Sequence, residues 1–228
     1  MVLNPEEKWS FEEMIDPKHT ALIVVDMQND YCSSNGDSCK QGRDIGMTQR
    51  MTPKLARFLT HCRSLRLSVI HTRNVHSEFS DTPVWKRRSG GKISSVARLN
   101  SWGANWFEDY PEFTPRSEEY VIDKHRYSAF INTDLEIVLK AKGIRTVLMT
   151  GTATNVCVES TARHALMLDY HVVLVNDCCA TYSKVLQEAT ELNIQNHFGM
   201  TVPSDKIVSV WAETYKIDSA RNVDEPVS

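Results

Sequence analysis

The sequence predicts a three-layer α/β/α fold, in which helices cover both faces of a central, mainly parallel sheet of six strands with Rossmann-type topology. Two observations support this prediction. Short apolar runs of strand length recur along the chain, and segments with helical spacing of apolar residues separate most of them. This alternation is typical of parallel sheets with right-handed crossovers. The predicted strands cover residues 20–26, 68–71, 119–123, 146–149, 171–175 and an edge strand at 206–210.

The individual elements follow from local patterns. TALIVVD at 20–26 is an apolar run closed by an acid, which is typical of a central strand buried on both faces. Leu55, Phe58, Leu59 and Cys62 have helical spacing. They predict a helix over 48–65. Similar patterns, with helix start and stop residues, predict further helices at 133–143, 156–169 and 183–199.

Two regions lack such patterns. Residues 1–18 are interpreted as an irregular arm on the surface. Residues 74–118 contain several prolines and glycines together with Trp85, Trp102 and Trp106, three of the five tryptophans. Long irregular segments inside compact domains are usually functional or disordered, and tryptophans need packing partners. We therefore predict a pocket wall or lid at 74–118, which a subunit interface could complete, within a single domain spanning 1–228.

Composition excludes several function classes. The formal net charge of the 228 residues is −3, so no nucleic-acid partner is predicted. No apolar run approaches membrane-spanning length, and the acidic N-terminal segment lacks the apolar region of a secretory signal. We therefore expect no membrane partner and a cytoplasmic location. The six cysteines lack zinc-knuckle spacing, and reduced thiols are expected for them.

The most informative stretch is TVLMTGTATNVCVESTARHA at 146–165. An apolar strand leads through a turn of small residues, 151–155, into a helix whose first turn contains Cys157. Unpaired backbone N–H groups and the helix dipole at such a position favour the thiolate, which is the nucleophilic form of cysteine. This pattern predicts that Cys157 is a catalytic nucleophile with a lowered pKa.

Two other reactive residues fall at the same edge of the predicted sheet. Asp26 and Lys124 lie at or just after the carboxyl ends of strands, where sites form in open α/β sheets. Asp26 could act as the base for Cys157, and Lys124 could stabilise the thiolate. Backbone N–H groups of the turn could hold an oxyanion. Taken singly, each residue also has an ordinary structural interpretation, as a cap, a solvated lysine or a core cysteine.

Three segments together resemble the isochorismatase-like cysteine hydrolases, and the resemblance covers most of 20–200. They are ALIVVDMQNDY at 21–31, VIDKHRYSAFINTDLEIVL at 121–139 and GTATNVCVESTARHA at 151–165. Within this family, KHRYSAFINT and GIRTVLMTGTATNVCVEST are most similar to the ureidoacrylate amidohydrolases of pyrimidine breakdown. Other members are N-carbamoylsarcosine amidases, biuret hydrolases, nicotinamidases and isochorismatases.

The resemblance implies a catalytic trio of Asp26, Lys124 and Cys157. It also implies a non-proline cis peptide at Thr152–Ala153, with the N–H groups of Ala153 and Cys157 as the oxyanion hole. The implied reaction is hydrolysis of a C–N bond in a small ureido, carbamoyl or amide compound, through a thioester acyl-enzyme. Several members are dimers or tetramers, so a homo-oligomer is expected.

Substrate contacts are less closely defined. The resemblance implies roles for Asn74, after the second strand, and for Tyr127, three residues after Lys124. An arginine could pair with a substrate carboxylate. The candidates are Arg73, Arg87, Arg88 and Arg126.

Metal and cofactor requirements follow from the same comparison. Nicotinamidases of this family bind a divalent ion through an aspartate and histidines near the second strand. The spacing of His71, His76 and Asp81 does not match theirs. We therefore expect neither a metal nor a cofactor.

Two alternative functions remain open. A true isochorismatase would cleave a vinyl ether, but those enzymes typically lack the cysteine at this position. A non-catalytic binding protein could use the same fold, because fold does not determine function. The presence of all three residues of the trio argues against this second alternative.

Overall fold

A computed structural model describes residues 9–215. In this part of the chain, six parallel strands form one sheet in the order β3-β2-β1-β4-β5-β6, which confirms the predicted fold class. The strands are β1 (Thr20–Val25), β2 (Ser68–Asn74), β3 (Tyr120–Lys124), β4 (Thr146–Thr152), β5 (His171–Ala180) and β6 (Met200–Val202).

The helices cover both faces of the sheet. They are α1 (Phe11–Met14), α2 (Asn29–Cys32), α3 (Asp37–Lys40), α4 (Gly46–Ser64), α5 (Pro83–Arg87), α6 (Leu135–Ala141), α7 (Glu159–Met167), α8 (Lys184–Asn193) and α9 (Ser204–Tyr215). Alternate β1 residues point to opposite faces, as strand geometry requires. Leu22 packs in a core with residues of α4 and α9, and Ile23 packs in a second core with residues of α6 and α7.

The prediction of an edge strand at 206–210 is wrong, because these residues belong to α9. The edge strand is β6, which pairs with β5. Ile207 and Trp211 are four residues apart, lie on one side of α9 and are fully buried. The Trp211 ring stacks on Phe58, with centroids 5.9 Å apart, and its Nε1 donates to the carbonyl oxygen of Ile15 at 2.8 Å. A short apolar run fits either periodicity, and here packing on α4 selects the helix.

Other boundaries differ by a few residues. The strands β2, β4 and β5 extend beyond their predicted ends, because backbone pairing continues after the apolar run stops. The predicted arm contains α1, and residues 1–8 and 216–228 lie outside the described part of the predicted domain. The irregular segment 74–118 contains α5 and two short 3₁₀ turns, Trp102–Ala104 and Pro111–Phe113.

Gly151 lets β4 approach β1 closely. Its φ is +102°, and a Cβ atom built there would lie 2.1 Å from the carbonyl oxygen of Val25. We expect Gly151→Ala to lower the free energy of unfolding by more than the roughly 1–3 kcal/mol that an unfavourable backbone conformation costs alone. Urea denaturation would measure this loss.

Gly42 offers the matched control, since its φ is +83° and no atom lies within 4 Å of a Cβ built there. Gly42→Ala therefore carries a comparable backbone cost without the overlap. Equal losses of stability in the two variants would show that the close approach of β4 to β1 does not constrain Gly151.

Candidate active site

The candidate site lies where the strand order reverses, between the carboxyl ends of β1 and β4. From β1 the chain continues to β2 and β3 on one side, and β4 then returns to the other side of β1. Such a switch point leaves a crevice in which α/β proteins commonly bind ligands. Here the crevice is a cavity of about 590 Å³, and Asp26 and Cys157 both line it.

Asp26, which lines this cavity, forms a buried ion pair with Lys124. Lys124 Nζ lies 2.8 Å from Asp26 Oδ2, and the two side chains are 0% and 1% exposed. Thr72 Oγ1 donates to the other carboxylate oxygen at 2.9 Å, and the backbone N–H of Asp26 donates to the Thr72 carbonyl at 3.0 Å. Asp26 has a φ of +51°, so the chain turns sharply at the end of β1. These contacts fix the carboxylate in one position.

Electrostatics keep Lys124 in its charged form. Burial by itself lowers the pKa of Lys124, but the neighbouring Asp26 and Cys157 outweigh burial, and the net shift is upward. The ammonium group also donates to the Arg126 carbonyl at 3.3 Å. Lys124 is therefore a fixed positive charge beside both the carboxylate and the thiol.

Cys157 lies in a wide π-helical turn, Thr154–Val158, that leads directly into α7. It is buried, and burial is the main reason why its pKa is raised to about 12. Lys124 lowers the pKa and Asp26 raises it. The prediction of a lowered pKa is therefore wrong, because desolvation and the Asp26 carboxylate outweigh the favourable charges. At neutral pH Cys157 is therefore a protonated thiol, and Asp26 is close enough to raise its pKa.

The turn before Cys157 has the backbone geometry that the resemblance implies. The Thr152–Ala153 peptide bond is cis, and Ala153 and Cys157 both line the cavity. The Ala153 carbonyl accepts from the N–H of Val156 at 3.0 Å, which closes the turn. Asn155 Oδ1 accepts from Thr181 Oγ1, which ties the turn to the segment after β5.

Asn74 and Tyr127 line the same cavity as Asp26 and Cys157. Asn74 ends β2, and its backbone N–H and carbonyl both bond the side chain of Gln28, at 2.9 and 3.0 Å. Tyr127 packs against Trp85, another residue of the cavity lining, with ring centroids 5.1 Å apart. The structure thus brings both predicted substrate-binding residues together with the trio.

Sequence reasoning missed several residues of the site. Gln28 is fully buried and links β1, β2 and the 102–104 turn through the Ala104 carbonyl, 2.8 Å from its Nε2. A polar residue two positions after Asp26 was the available signal. Tyr31, Arg43 and Tyr182 also line the cavity and carried no recognisable spacing, whereas His76, another lining residue, was considered only as a metal ligand.

The candidate arginines divide into two groups. Arg88 lines the cavity and lies over the rings of Trp85 and Tyr127. Arg73 instead forms a bidentate pair with Asp123, and Arg126 donates to backbone carbonyls of residues 80 and 125. Of the four candidates, Arg88 alone appears among the described residues that line the cavity.

The irregular segment supplies one wall of the cavity through residues 85–96. Trp102 and Trp106 pack elsewhere. The Trp102 Nε1 donates to Glu108 at 2.9 Å, and Trp106 contacts His71 edge-on. Trp85 is thus the tryptophan of this segment that faces the site.

The histidines considered as metal ligands have separate partners. His71 Nε2 lies 2.9 Å from Glu119 on the far side of β2, and His76 Nδ1 lies 3.0 Å from Asp81. Within residues 9–215, no three His, Cys, Asp or Glu side chains are grouped to hold a metal ion. All six cysteines lie in this range and are free thiols. None of the helices described is both long and apolar enough to cross a membrane.

The six-stranded parallel sheet and the cavity at its switch point define a three-layer α/β/α domain with Rossmann-type topology. The sequence matches the model of the isochorismatase domain over residues 20–206, and the chain belongs to the isochorismatase family. Ureidoacrylate amidohydrolase RutB of Acinetobacter baylyi is 32% identical over 213 residues, which cover 88% of this chain and 87% of the relative. RutB of Caulobacter vibrioides is 35% identical over 199 residues, or 81% and 88% of the two chains.

Solved structures agree with this assignment. A cysteine hydrolase from Pseudomonas syringae superposes with a TM-score of 0.75 at 25% identity, covering 93% of this chain and 99% of the other. N-carbamoylsarcosine amidase from Thermoplasma acidophilum has a TM-score of 0.66 at 25% identity, with coverage of 82% and 96%. The protein is therefore a hydrolase of this family, and its relatives are named amidohydrolases, enzymes that act on C–N bonds.

Proposed function

We propose that the protein is a cysteine-dependent amidohydrolase that cleaves a C–N bond in a small ureido or carbamoyl acid similar to ureidoacrylate. The observation that supports this most directly is the placement of a buried thiol beside a buried Asp26–Lys124 pair in one cavity. The names of the relatives support the substrate class. In the proposed reaction, Cys157, Asp26 and Lys124 perform the chemical steps.

The first half of the reaction forms a thioester. Asp26 takes the proton from Cys157 as the sulfur attacks the carbonyl carbon, and the N–H groups of Ala153 and Cys157 hold the resulting oxyanion. Asp26 then passes the proton to the departing nitrogen, and the C–N bond breaks. Lys124 stabilises the negative charges on both the sulfur and the carboxylate.

The second half hydrolyses the thioester. Asp26 removes a proton from water, the hydroxide adds to the carbonyl, and the sulfur leaves and regains its proton. A ureido substrate releases an amine in the first half and carbamic acid in the second, which decomposes to carbon dioxide and ammonia. One water molecule is consumed to give one amine, one carbon dioxide and one ammonia.

Positive charges in the cavity lining support an anionic substrate. Arg43, Arg88 and Lys92 line the cavity, and Arg43 is held over the Tyr182 ring, 5.1 Å from its centroid. Arginine binds carboxylates through two parallel N–H bonds. We propose that Arg88 and Arg43 hold the carboxylate of the substrate, while the ureido group reaches Cys157.

The test is an ammonia-release assay with ureidoacrylate, an N-carbamoyl amino acid, biuret and nicotinamide. We expect the wild-type protein to release ammonia from a ureide, and Cys157→Ser to release none above background. Mass spectrometry of the quenched wild-type reaction should detect an acyl adduct on Cys157. The matched control is Cys39→Ser, a thiol outside the cavity lining, which should retain full activity.

Two results would reject this function. Wild-type protein that releases no ammonia from any amide or ureide would exclude an amidohydrolase acting on these classes. Wild-type protein that converts isochorismate but not ureides would favour the vinyl-ether alternative.

A further inference from the structure

The guanidinium group of Arg88 lies in a notch between two aromatic rings of the cavity wall. Its Cζ atom is 4.7 Å from the centroid of the Trp85 ring and 4.6 Å from that of the Tyr127 ring. The two centroids are 5.1 Å apart, and the rings are inclined at 58° to each other. The three centres thus form a nearly equilateral triangle, so Arg88 contacts both rings at once. All three residues line the cavity.

Local structure brings Trp85 and Arg88 together. The helix α5 begins after Thr82, whose Oγ1 accepts a hydrogen bond from the backbone N–H of Trp85 at 3.3 Å. Arg88 caps the other end of this helix, three residues after Trp85, and side chains with this spacing are neighbours on a helix surface. Tyr127 comes from the segment after β3. The notch therefore joins two parts of the chain that are distant in the sequence.

Trp85 is itself held by a second cation. The Cζ atom of Arg126 lies 4.7 Å from the Trp85 centroid, and its Nη1 donates to the carbonyls of residues 80 and 125 at 3.2 and 2.6 Å. The His76 ring also stacks on Trp85, with centroids 6.4 Å apart. These contacts fix the Trp85 ring before any ligand binds, and they engage Arg126 with the backbone.

Arg88 differs from Arg126 because its hydrogen-bonding groups remain available for a ligand. The described arginines that are paired with carboxylates are Arg63, Arg73 and Arg163, and Arg88 is not among them. A guanidinium that stacks on aromatic faces keeps its N–H donors in its own plane, where they can bind a carboxylate through two parallel bonds. Holding a long side chain in place beforehand also reduces the conformational entropy that is lost on binding.

We propose that Trp85 is a positioning residue that holds the Arg88 guanidinium in the orientation that binds the carboxylate of the substrate. The proposal rests on the proposed function and deepens it, because it names a residue that gives the cavity a preference for acidic ureides over neutral ones. Trp85 needs no contact with the substrate for this role, since its ring acts through Arg88.

The test compares two ligands of similar size in protein carrying Cys157→Ala, so that binding is measured without turnover. The ligands are N-carbamoylglycine, which is an anion, and its neutral amide, and calorimetry gives the ratio of their dissociation constants. Because both ligands contain the ureido group, the ratio reports recognition of the carboxylate. We expect Trp85→Leu to reduce the preference for the anion about twofold to tenfold, the usual effect of having to order one long side chain on binding. Trp85→Phe, which retains an aromatic face, should keep most of the preference.

Arg88→Met distinguishes positioning from general packing. In this background, Trp85→Leu should leave unchanged the remaining preference, which Arg43 supplies. Trp102→Leu is the matched control and should retain the full ratio, since this tryptophan donates to Glu108 and is not among the residues that line the cavity. An unchanged ratio in Trp85→Leu, or an equal reduction with and without the Arg88 guanidinium, overturns the proposal.

A further variant leaves Trp85 unaltered. Arg88→Lys keeps the positive charge but loses the planar group that stacks on the rings. We expect it to lose most of the preference that Arg88 contributes, and full retention overturns the proposal.

The positioning role and the proposed function fail separately. Hydrolysis of ureides with a preference that does not depend on Trp85 rejects the positioning role alone. A Trp85-dependent preference without any hydrolysis by the wild-type protein rejects the proposed function alone. Binding of neither ligand rejects both.

Discussion

Replacing Asp26 by Asn is expected to lower kcat/KM for ureide hydrolysis by about 10²–10⁴-fold, the usual contribution of a general base. The resting thiol of Cys157 has a pKa of about 12 and is protonated at neutral pH. Attack therefore requires a base within reach, and an amide cannot take the proton. Steady-state kinetics of ammonia release would measure the loss.

The same variant should make Cys157 more reactive toward alkylation. Asp26 raises the pKa of the thiol through its negative charge, so removing that charge lowers the pKa and increases the thiolate fraction at a given pH. We expect faster reaction with iodoacetamide at pH about 9, where an ordinary cysteine thiol is largely ionised. Hydrolysis and alkylation thus change in opposite directions, which distinguishes loss of a base from general damage to the site.

Asp123→Asn is the control for removing one carboxylate. Asp123 lies near the carboxyl end of β3, where its partly exposed side chain pairs with Arg73. It is not among the residues that line the cavity. Its replacement should change neither rate. If Asp26→Asn slowed both hydrolysis and alkylation, the assignment of Asp26 as the base would have to be abandoned.

Replacing Lys124 by Met is expected to lower the free energy of unfolding by about 3–5 kcal/mol, because it leaves a buried carboxylate without its partner. Lys124 and Asp26 are 0% and 1% exposed, so water cannot replace the lost ammonium group. Urea denaturation monitored by tryptophan fluorescence would measure the change. Activity should be lost as well, since the charge that stabilises the thiolate is absent.

Two further variants test this explanation. The double variant Asp26→Asn/Lys124→Met removes both charges and should recover part of the lost stability. Lys140→Met breaks an exposed ion pair with Glu136 on α6, and its effect should stay within about 0.5 kcal/mol. A double variant no more stable than Lys124→Met would show that the unpaired carboxylate is not the source of the loss.

The sequence was sufficient to predict five of the six strands and the proximity of Asp26, Lys124 and Cys157. Strands buried on both faces leave continuous apolar runs, and their carboxyl ends share one edge, so Asp26 and Cys157 could be placed together. The segment 206–210 was misassigned because five residues fit two periodicities. Burial of Trp211 against Phe58, which decides between them, involves residues far apart in the chain.

The charge state of Cys157 could not be predicted for a related reason. Its position at a helix start suggested a lowered pKa, but the balance depends on burial and on the distance to Asp26. Arg43 was likewise missed as a site residue and His76 was considered only as a metal ligand, since segments without local periodicity bring both to the cavity. Contacts of these residues in the cavity depend on how segments that are distant in the sequence pack against one another.

The reversal of strand order places the proposed base and the proposed nucleophile on different halves of the sheet. Asp26 follows β1, which pairs with β2, whereas Cys157 follows β4, which pairs with β5. A local opening between β1 and β4 would separate the two residues while leaving most pairs within each half intact. Proteins open in such cooperative units below the free energy of global unfolding. We therefore expect that enzymatic activity is lost on heating at a lower temperature than most of the helical structure.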